Sequence, residues 1–430
     1  MQKMRKMKAS GIEWIGEIPE GWEVATIGHL FSVTAGGDAK PHLYSFVQDT
    51  EHPYPVYTNS SNPNQIYAYT SAPIFNENTI TVTGRGDIGH AFYRSTKFDA
   101  IIRLLVLAPK LALDCRYYAY WIDNVSIFFT NSAAVGQLSA QQISPYKTCY
   151  LPLCEQHSIA NHLDFYCSKI EHILAEIQNS IHEYKKLKQA VITQAVTKGV
   201  RGEREMKDSG NPWFGQIPTD WKLSRVGLHF SIILGKMLCN APLNNTYTLE
   251  PYYCAADVHF DGVADGERQK MWFSPIEKDL YRVSVGDLLV VEGGAGAGGS
   301  AIVEKQDSDT YVQNSIMIVR SKGNADSRYL RYLLEFLVKQ GYIDVVCNKA
   351  TIPHFTKDKL SCIPFCLCPT GEQEEIADYL DAKCAEIDGL IAKKEQLVKE
   401  LESYKKSLIY EVVTGKREIF TVITRKFPNI

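Results

Sequence analysis

Apolar residues recur at every third and fourth position through two long stretches of the chain. The first reads Leu163, Cys167, Ile170, Leu174, Ile177, Ile181, Tyr184, Leu187 and Val191. The second reads Leu380, Cys384, Ile387, Ile391, then Leu397 or Val398, Leu401, Tyr404, Leu408 and Val412, with an interruption at Lys394. Alternating steps of four and three keep one stripe on a single face of a helix, so the spacing predicts two long helices that pack on each other along a seam. Gly199 and Gly415 stand where helix C-terminal glycines belong, and Lys185, Lys186, Lys198, Lys405 and Lys406 lie towards those ends, where cations suit the helix dipole.

The regions between the helices, about 23–150 and 222–370, lose that period. They carry short β-like runs, Thr79-Ile-Thr-Val-Thr83, Arg103-Leu-Leu-Val-Leu107, Asp287-Leu-Leu-Val-Val291 and Ser315-Ile-Met-Ile-Val319, separated by turn residues. A helical pattern follows in each, over Tyr117–Phe129 and Ser327–Lys339. Each region reads as a compact mixed α/β domain.

The chain also repeats itself. Trp14, Gly16, Ile18, Pro19 and Trp22 return as Trp213, Gly215, Ile217, Pro218 and Trp221 at one constant offset, in a chain with only 6 Trp. Glu155-Gln156, Ile159-Ala160, Leu163-Asp164 and Val196-Thr197 return as Glu372-Gln373, Ile376-Ala377, Leu380-Asp381 and Val413-Thr414, without a gap. An ungapped register over that length suits one continuous helix in each half, of roughly 65 Å at ~1.5 Å per residue. Such a repeat makes the chain two similar halves, each a variable region followed by a shared helix.

Composition narrows the function classes. At 430 residues, 45% hydrophobic and 22% charged, the chain supports packed cores in more than one domain. A net charge of −3 offers no global basic signature, so contact with nucleic acid requires local basic patches. No apolar run approaches the ~18 residues of a membrane span. The basic start, Met1 to Ser10, is not followed by the apolar stretch of a signal peptide. The 11 cysteines form no framework pattern and read as reduced thiols of a cytoplasmic protein.

Taken with Gly16-Glu-Ile-Pro-Glu-Gly-Trp22, Gly215-Gln-Ile-Pro-Thr-Asp-Trp221 and the two helix motifs, the sequence resembles the specificity subunit of type I restriction-modification systems. Gly286-Asp-Leu-Leu-Val290, Gln313-Asn314 and Thr351-Ile-Pro-His-Phe355 resemble that family's second target-recognition domain, whereas Gly136-Gln-Leu-Ser139 stands where the family often carries a Pro-His pair. The resemblance implies an α+β fold: two pseudo-repeated mixed α/β target-recognition domains separated by two long antiparallel helices forming a coiled coil. The expected divisions are an N-terminal segment and first recognition domain over 1–154, a helix over 155–199, a linker and second recognition domain over 200–371, a helix over 372–415, and a tail over 416–430. The expected seam comprises Leu163, Ile170, Leu174, Ile177, Tyr184 and Leu187 against Leu380, Ile387, Ile391, Leu401, Tyr404 and Leu408.

The resemblance further implies a DNA reader without catalysis of its own, each recognition domain taking one half of a bipartite double-stranded site. Two adenine-N6 methyltransferase subunits that hold S-adenosylmethionine, and motor-nuclease restriction subunits that use ATP and Mg, are the implied partners, with no cofactor and no metal in this chain and no membrane. Helices of that length approach two turns of duplex at ~34 Å per turn and could act as a ruler. The alternative is a coiled-coil adaptor whose variable domains bind protein.

Arg and Lys suit guanine and phosphate, and Asn and Gln suit adenine. On that basis Lys40, Asn59, Ser60, Arg85 and Gln137 are the candidate DNA contacts of the first region, and Lys236, Gln313, Asn314, Lys349, Thr351 and His354 those of the second. Other patterns fall short. Gly294-Ala-Gly-Ala-Gly-Gly299 fits GxGxxG, but Ser300-Ala-Ile-Val-Glu-Lys305 after it is β-like where a dinucleotide site needs a helix. Asn211-Pro-Trp-Phe214 lacks the second Pro of an amino-methyltransferase motif. Cys362, Cys366 and Cys368 lack zinc spacing, and Asp257, Asp261 and Asp265 lack the rest of a calcium loop.

Overall fold

The computed structural model describes residues 5–126, 128, 137–305, 309–347 and 354–419. Contacts divide the chain into two units, Met1–Gln178 with Gln396–Ile430, and Asn179–Glu395. The same architecture occurs in both.

In the first unit a hairpin of Met7–Ala9 on Glu17–Pro19 delivers Trp22, which is fully buried. A four-stranded antiparallel sheet follows: β1 (Phe31–Ala35), β2 (Thr79–Val82), β3 (Ala91–Arg94) and β4 (Leu105–Pro109), in the order β1-β4-β2-β3. Helix α1 (Cys115–Asn124) packs on it, capped by the Asp114 carboxylate, which accepts from the Arg116 amide. A second sheet of Tyr44–Ser45, Tyr54–Tyr57, Ile66–Thr70 and Asp99–Ala100 stands beside it. Strand β4 begins two residues later than the apolar run predicts. Ile102 and Arg103 carry φ of 54° and 57°, a left-handed geometry that no ladder accommodates.

Helix α2 (Leu153–Lys198) runs for 46 residues from the first unit into the second. The second unit repeats the plan with a hairpin of Met206–Asp208 on Gln216–Pro218, buried Trp221, and β5 (Phe230–Leu234), β6 (Leu288–Val291), β7 (Ser300–Ile302) and β8 (Ile316–Ser321) in the order β5-β8-β6-β7. Helix α3 (Ser327–Lys339) takes the place of α1, and α4 (Thr370–Val413), 44 residues long, closes the pattern. The strand at Ser300–Ile302 directly after the glycine-rich loop is the arrangement a dinucleotide site would not have. No helix among the described residues is long and apolar enough to cross a membrane.

Each unit contains one stretch of α2 and one of α4, lying antiparallel. In the first, Lys405 Nζ meets Glu171 Oε1 at 2.6 Å. In the second, Lys188 Nζ meets Asp388 Oδ2 at 2.7 Å and Lys185 Nζ approaches Glu395 Oε1 at 3.8 Å. Leu163, Ile170, Ile177, Leu380, Ile387, Ile391 and Leu408 are buried, and Leu174, Tyr184 and Leu401 half-buried, as the seam requires. Leu187 and Tyr404 are not in it: they are 48% and 47% exposed. After the step of three from Ile181 to Tyr184 the alternation needs a step of four, which selects Lys188 over Leu187. The same count selects Lys405 over Tyr404. Lys188 and Lys405 are repeat equivalents, and so are their partners Asp388 and Glu171. Lys394, the interruption noted above, keeps the seam by placing its ammonium 5.6 Å from the Tyr184 ring centroid.

Polar residues at seam positions fix register more than they add stability. Asp388 and Glu171 are 50% and 62% exposed, so each pair has the worth of a surface ion pair. Lys188→Met and Lys405→Met, which keep the packed stem, are therefore expected to shift stability by less than about 1 kcal/mol each in chemical denaturation. A loss of about 3 kcal/mol would show that the pairs behave as buried ones.

Candidate nucleic-acid interface

In the first unit four loops converge at the end of β1, β2 and β4. Strand β1 runs into Gly36-Gly37, where a Cβ on Gly36 would lie 2.5 Å from the Ala100 carbonyl oxygen, so only glycine fits. The Ile102 and Arg103 amides donate to the carbonyls of Gly37 and Gly36 at 3.0 and 3.2 Å. Strand β2 runs into Gly84-Arg85-Gly86. Asn59 ties the loops together: its Oδ1 accepts from the Gly84 amide at 2.7 Å, and its Nδ2 donates to the Ile102 carbonyl. The Leu138 amide donates to the Gly84 carbonyl at 2.9 Å, and Arg85 bridges Gln137 in antiparallel fashion.

Arg85, Arg103 and Gln137 are among the side chains left in solvent at this edge. Asn59 spends both ends of its amide on backbone. Ser60 donates to Gln65 Oε1 at 2.6 Å and braces the adjoining turn. Lys40, half-buried, precedes the turn Pro41–Leu43. The sequence does not mark Arg103 as a candidate contact, since Arg103-Leu-Leu-Val-Leu107 reads as strand. Its left-handed backbone, unusual for a residue with a Cβ, turns it out of the sheet instead.

The second unit rebuilds the cluster loop for loop. Gly235-Lys236 replaces Gly36-Gly37: the Lys236 amide donates to the Val312 carbonyl at 3.0 Å, and the Asn314 amide to the Lys236 carbonyl at 2.8 Å. Gly293 bridges His354 as Arg85 bridges Gln137. The Phe355 amide donates to the Glu292 carbonyl at 2.6 Å, matching Leu138 and Gly84, and the Glu292 amide joins the loops by donating to the Ser315 carbonyl at 2.8 Å.

Its side chains are committed differently. Lys236 is buried and donates to the Trp272 carbonyl at 2.8 Å and to Glu277 Oε2 at 2.5 Å, so it holds the scaffold and does not face solvent. Burial is the largest single influence on the Glu277 carboxyl and raises it, but the Lys236 ammonium and the Ser274 amide together outweigh burial and hold the group below its ordinary range. Gln313 donates to Asn314 Oδ1 at 2.8 Å and accepts from Ser315, bracing the turn. His354 is the exposed member, its Nδ1 3.4 Å from Glu292 Oε2. Lys349 and Thr351 lie outside the described residues.

A type I restriction modification DNA specificity domain model matches this chain twice, over residues 19–183 and 219–400. The chain belongs to that family. Membership makes DNA recognition within a type I restriction-modification system its role, and the two matched copies are the two repeated units. The chain is similar to the type I restriction enzyme EcoDI specificity subunit of Escherichia coli, at 20% identity over 93% of this chain and 90% of that protein. It is also similar to the MjaVIII specificity subunit of Methanocaldococcus jannaschii, at 23% identity over 93% of each. A type I specificity subunit of Mycoplasma pneumoniae is 29% identical over a shorter stretch, 35% of this chain and 46% of that protein. Among solved structures, a chain of a type I restriction-modification complex superposes with a TM-score of 0.70 at 13% identity, covering 93% of this chain and 99% of that one. The HsdS subunit from Thermoanaerobacter tengcongensis gives 0.51 at 13% identity, covering 93% and 98%. Likeness at that identity bears on the fold, and the family match carries the role.

Proposed function

We propose that each unit reads one half of a bipartite duplex site through its loop cluster, and that the chain performs no chemistry itself. One observation carries this reading: the same loops stand at the same end of the same sheet in both units, yet differ in what they offer. The first presents Arg85 and Gln137 where the second presents Gly293 and His354. A shared frame with divergent tips suits two different sequences read by one protein. Adenine-N6 methyl transfer, with S-adenosylmethionine, then falls to two methyltransferase subunits, and cleavage, with ATP and Mg, to motor-nuclease subunits. The assembly works on cytoplasmic DNA.

Single-molecule sequencing of adenine methylation in the host, with and without this gene, tests the reading. The expected result is the loss of one bipartite methylated motif on deletion. Loss of two unrelated motifs, or an unchanged methylome in cells shown to express the chain with its partners, would overturn it.

A further inference from the structure

One niche that is filled in the second unit is open in the first. Helices α1 and α3 dock on α2 and α4 through the same contacts. Arg116 and Tyr120 bind Asp164 at 2.8 and 2.9 Å, as Arg328 and Tyr332 bind Asp381 at 2.9 and 2.7 Å. This fixes the alignment between them, with Ala119 against Arg331 and Asp123 against Glu335.

Arg331 fills its niche. Only 14% of its side chain is exposed, its guanidinium lies 4.5 Å from the Tyr332 ring centroid and 3.3 Å from Glu335 Oε2, and it donates to the Phe260 carbonyl. Cys384 forms part of the floor: burial pushes its thiol up to about 11, with Lys188 first and Arg331 after among the cations pulling it back. The first unit has the same floor, aromatic wall and carboxylate in Cys167, Tyr120 and Asp123, but Ala119 supplies no cation. A cavity of about 880 Å³ results, lined by these residues. That is within the range of built ligand sites, roughly 300–1,000 Å³.

Among the described residues the Asp123 carboxylate meets an imidazole and two amides but no lysine or arginine. Arg116 is taken by Asp114 and Asp164, and Lys405 by Glu171. Lys406 and Glu402 add one charge of each sign to the lining. Asp123 Oδ1 accepts from the Ala91 amide at 3.1 Å and faces His90 Nδ1 at 3.4 Å, while Oδ2 has the Asn124 amide group at 3.4 Å. An aromatic face beside a carboxylate is the pairing that a planar guanidinium satisfies by stacking and by hydrogen bonding together.

We propose that this cavity receives an arginine side chain from a partner protein, at the place the second unit fills with its own Arg331. The partner's arrival rests on the assembly reading above; the arginine and its seat do not. The cavity exceeds one side chain, so the arginine enters on a segment that covers the groove beside α1.

The test is Ala119→Arg in the full chain, which supplies the guanidinium internally as Arg331 does. The variant is expected to melt at or above the wild-type temperature and to assemble with its partner subunits at least tenfold more weakly. In parallel, N-acetyl-L-arginine amide is titrated by NMR. Saturable binding is expected to wild type, weaker binding to Asp123→Asn, none to Ala119→Arg, and weaker binding of the lysine amide throughout. Unchanged assembly by Ala119→Arg, or absence of saturable arginine-amide binding to wild type, overturns the proposal. Should Ala119→Arg fail to fold, Asp123→Asn carries the same two readouts. Failure of the wild-type chain to assemble at all would strike the functional reading instead.

Discussion

Arg204→Met is expected to lower the stability of the second unit by about 3–5 kcal/mol, while its repeat equivalent, Arg5→Met, costs the first unit no more than about 1 kcal/mol. Both arginines do the same job in outline, since each lies over a buried tryptophan and binds the first glutamate of a long helix. Arg5 sits 5.3 Å from the Trp22 ring centroid and pairs with Glu155, and Arg204 sits 5.7 Å from Trp221 and pairs with Glu372. Their surroundings differ. The Glu155 side chain is 38% exposed and also accepts from Trp22 Nε1 at 2.6 Å, so it keeps water and a second donor when Arg5 is lost. The Glu372 side chain is 0% exposed, its Oε2 has no hydrogen bond, and the other nearby cation, Arg201, stands 3.8 Å away. Removing Arg204 therefore strands a buried carboxylate, a loss far larger than the pair's own worth. Chemical denaturation of the full chain, followed by hydrogen exchange at the start of α4 and of α2, separates the two units. The double variant Arg204→Met with Glu372→Gln should regain most of the loss. Equal shifts for Arg5→Met and Arg204→Met, or no recovery in the double variant, would refute the account.

That asymmetry was invisible in the sequence, where both halves read as the same motif. What sequence did expose was whatever depends on local period or on repetition. The 3–4 stripe marked both helices, whose starts after Pro152 and Pro369 lie two residues before 155 and 372. The glycines at 199 and 415 adopt the left-handed φ of 76° and 72° expected of helix ends. Sidedness within the stripe was less legible. Leu187 and Tyr404 fit the stripe by composition, whereas the geometry follows the count to the adjacent lysines. The candidate site was legible as a set of loops but poorly as a set of side chains. Whether Asn59 reads a base or holds Gly84 depends on residues 25 positions away, and whether Lys236 faces solvent depends on Glu277. No local pattern encodes such pairings. Nor does any pattern within Ile101-Ile-Arg-Leu104 announce the left-handed pair that frees Arg103.

The commitments of these side chains predict two separable kinds of defect at the edge proposed to read DNA. Arg85 and Gln137 are exposed and bridge each other through backbone, so their side chains can be changed without loosening the loops. Arg85→Ala is expected to weaken binding of the assembled complex by about 1–3 kcal/mol, and to do so through one half-site only. If Arg85 contacts a base edge, the loss falls on a single base pair. If it contacts phosphate, every sequence in that half weakens alike and the salt slope drops by about one. In either case the half read by the second unit stays as it was. Lys236→Ala should behave in the opposite way. Its ammonium bridges the Trp272 carbonyl and Glu277 inside the second unit, so the variant should lower the melting temperature and blur recognition across that entire half. Competition binding on duplex libraries randomised in one half at a time, at two salt concentrations, reads both outcomes together. Arg85→Ala altering the preference in both halves, or Lys236→Ala changing one base pair with an unaltered melting temperature, would show that Lys236 and Arg85 do not divide into scaffold and reader as the hydrogen bonds of Lys236 and the exposure of Arg85 indicate.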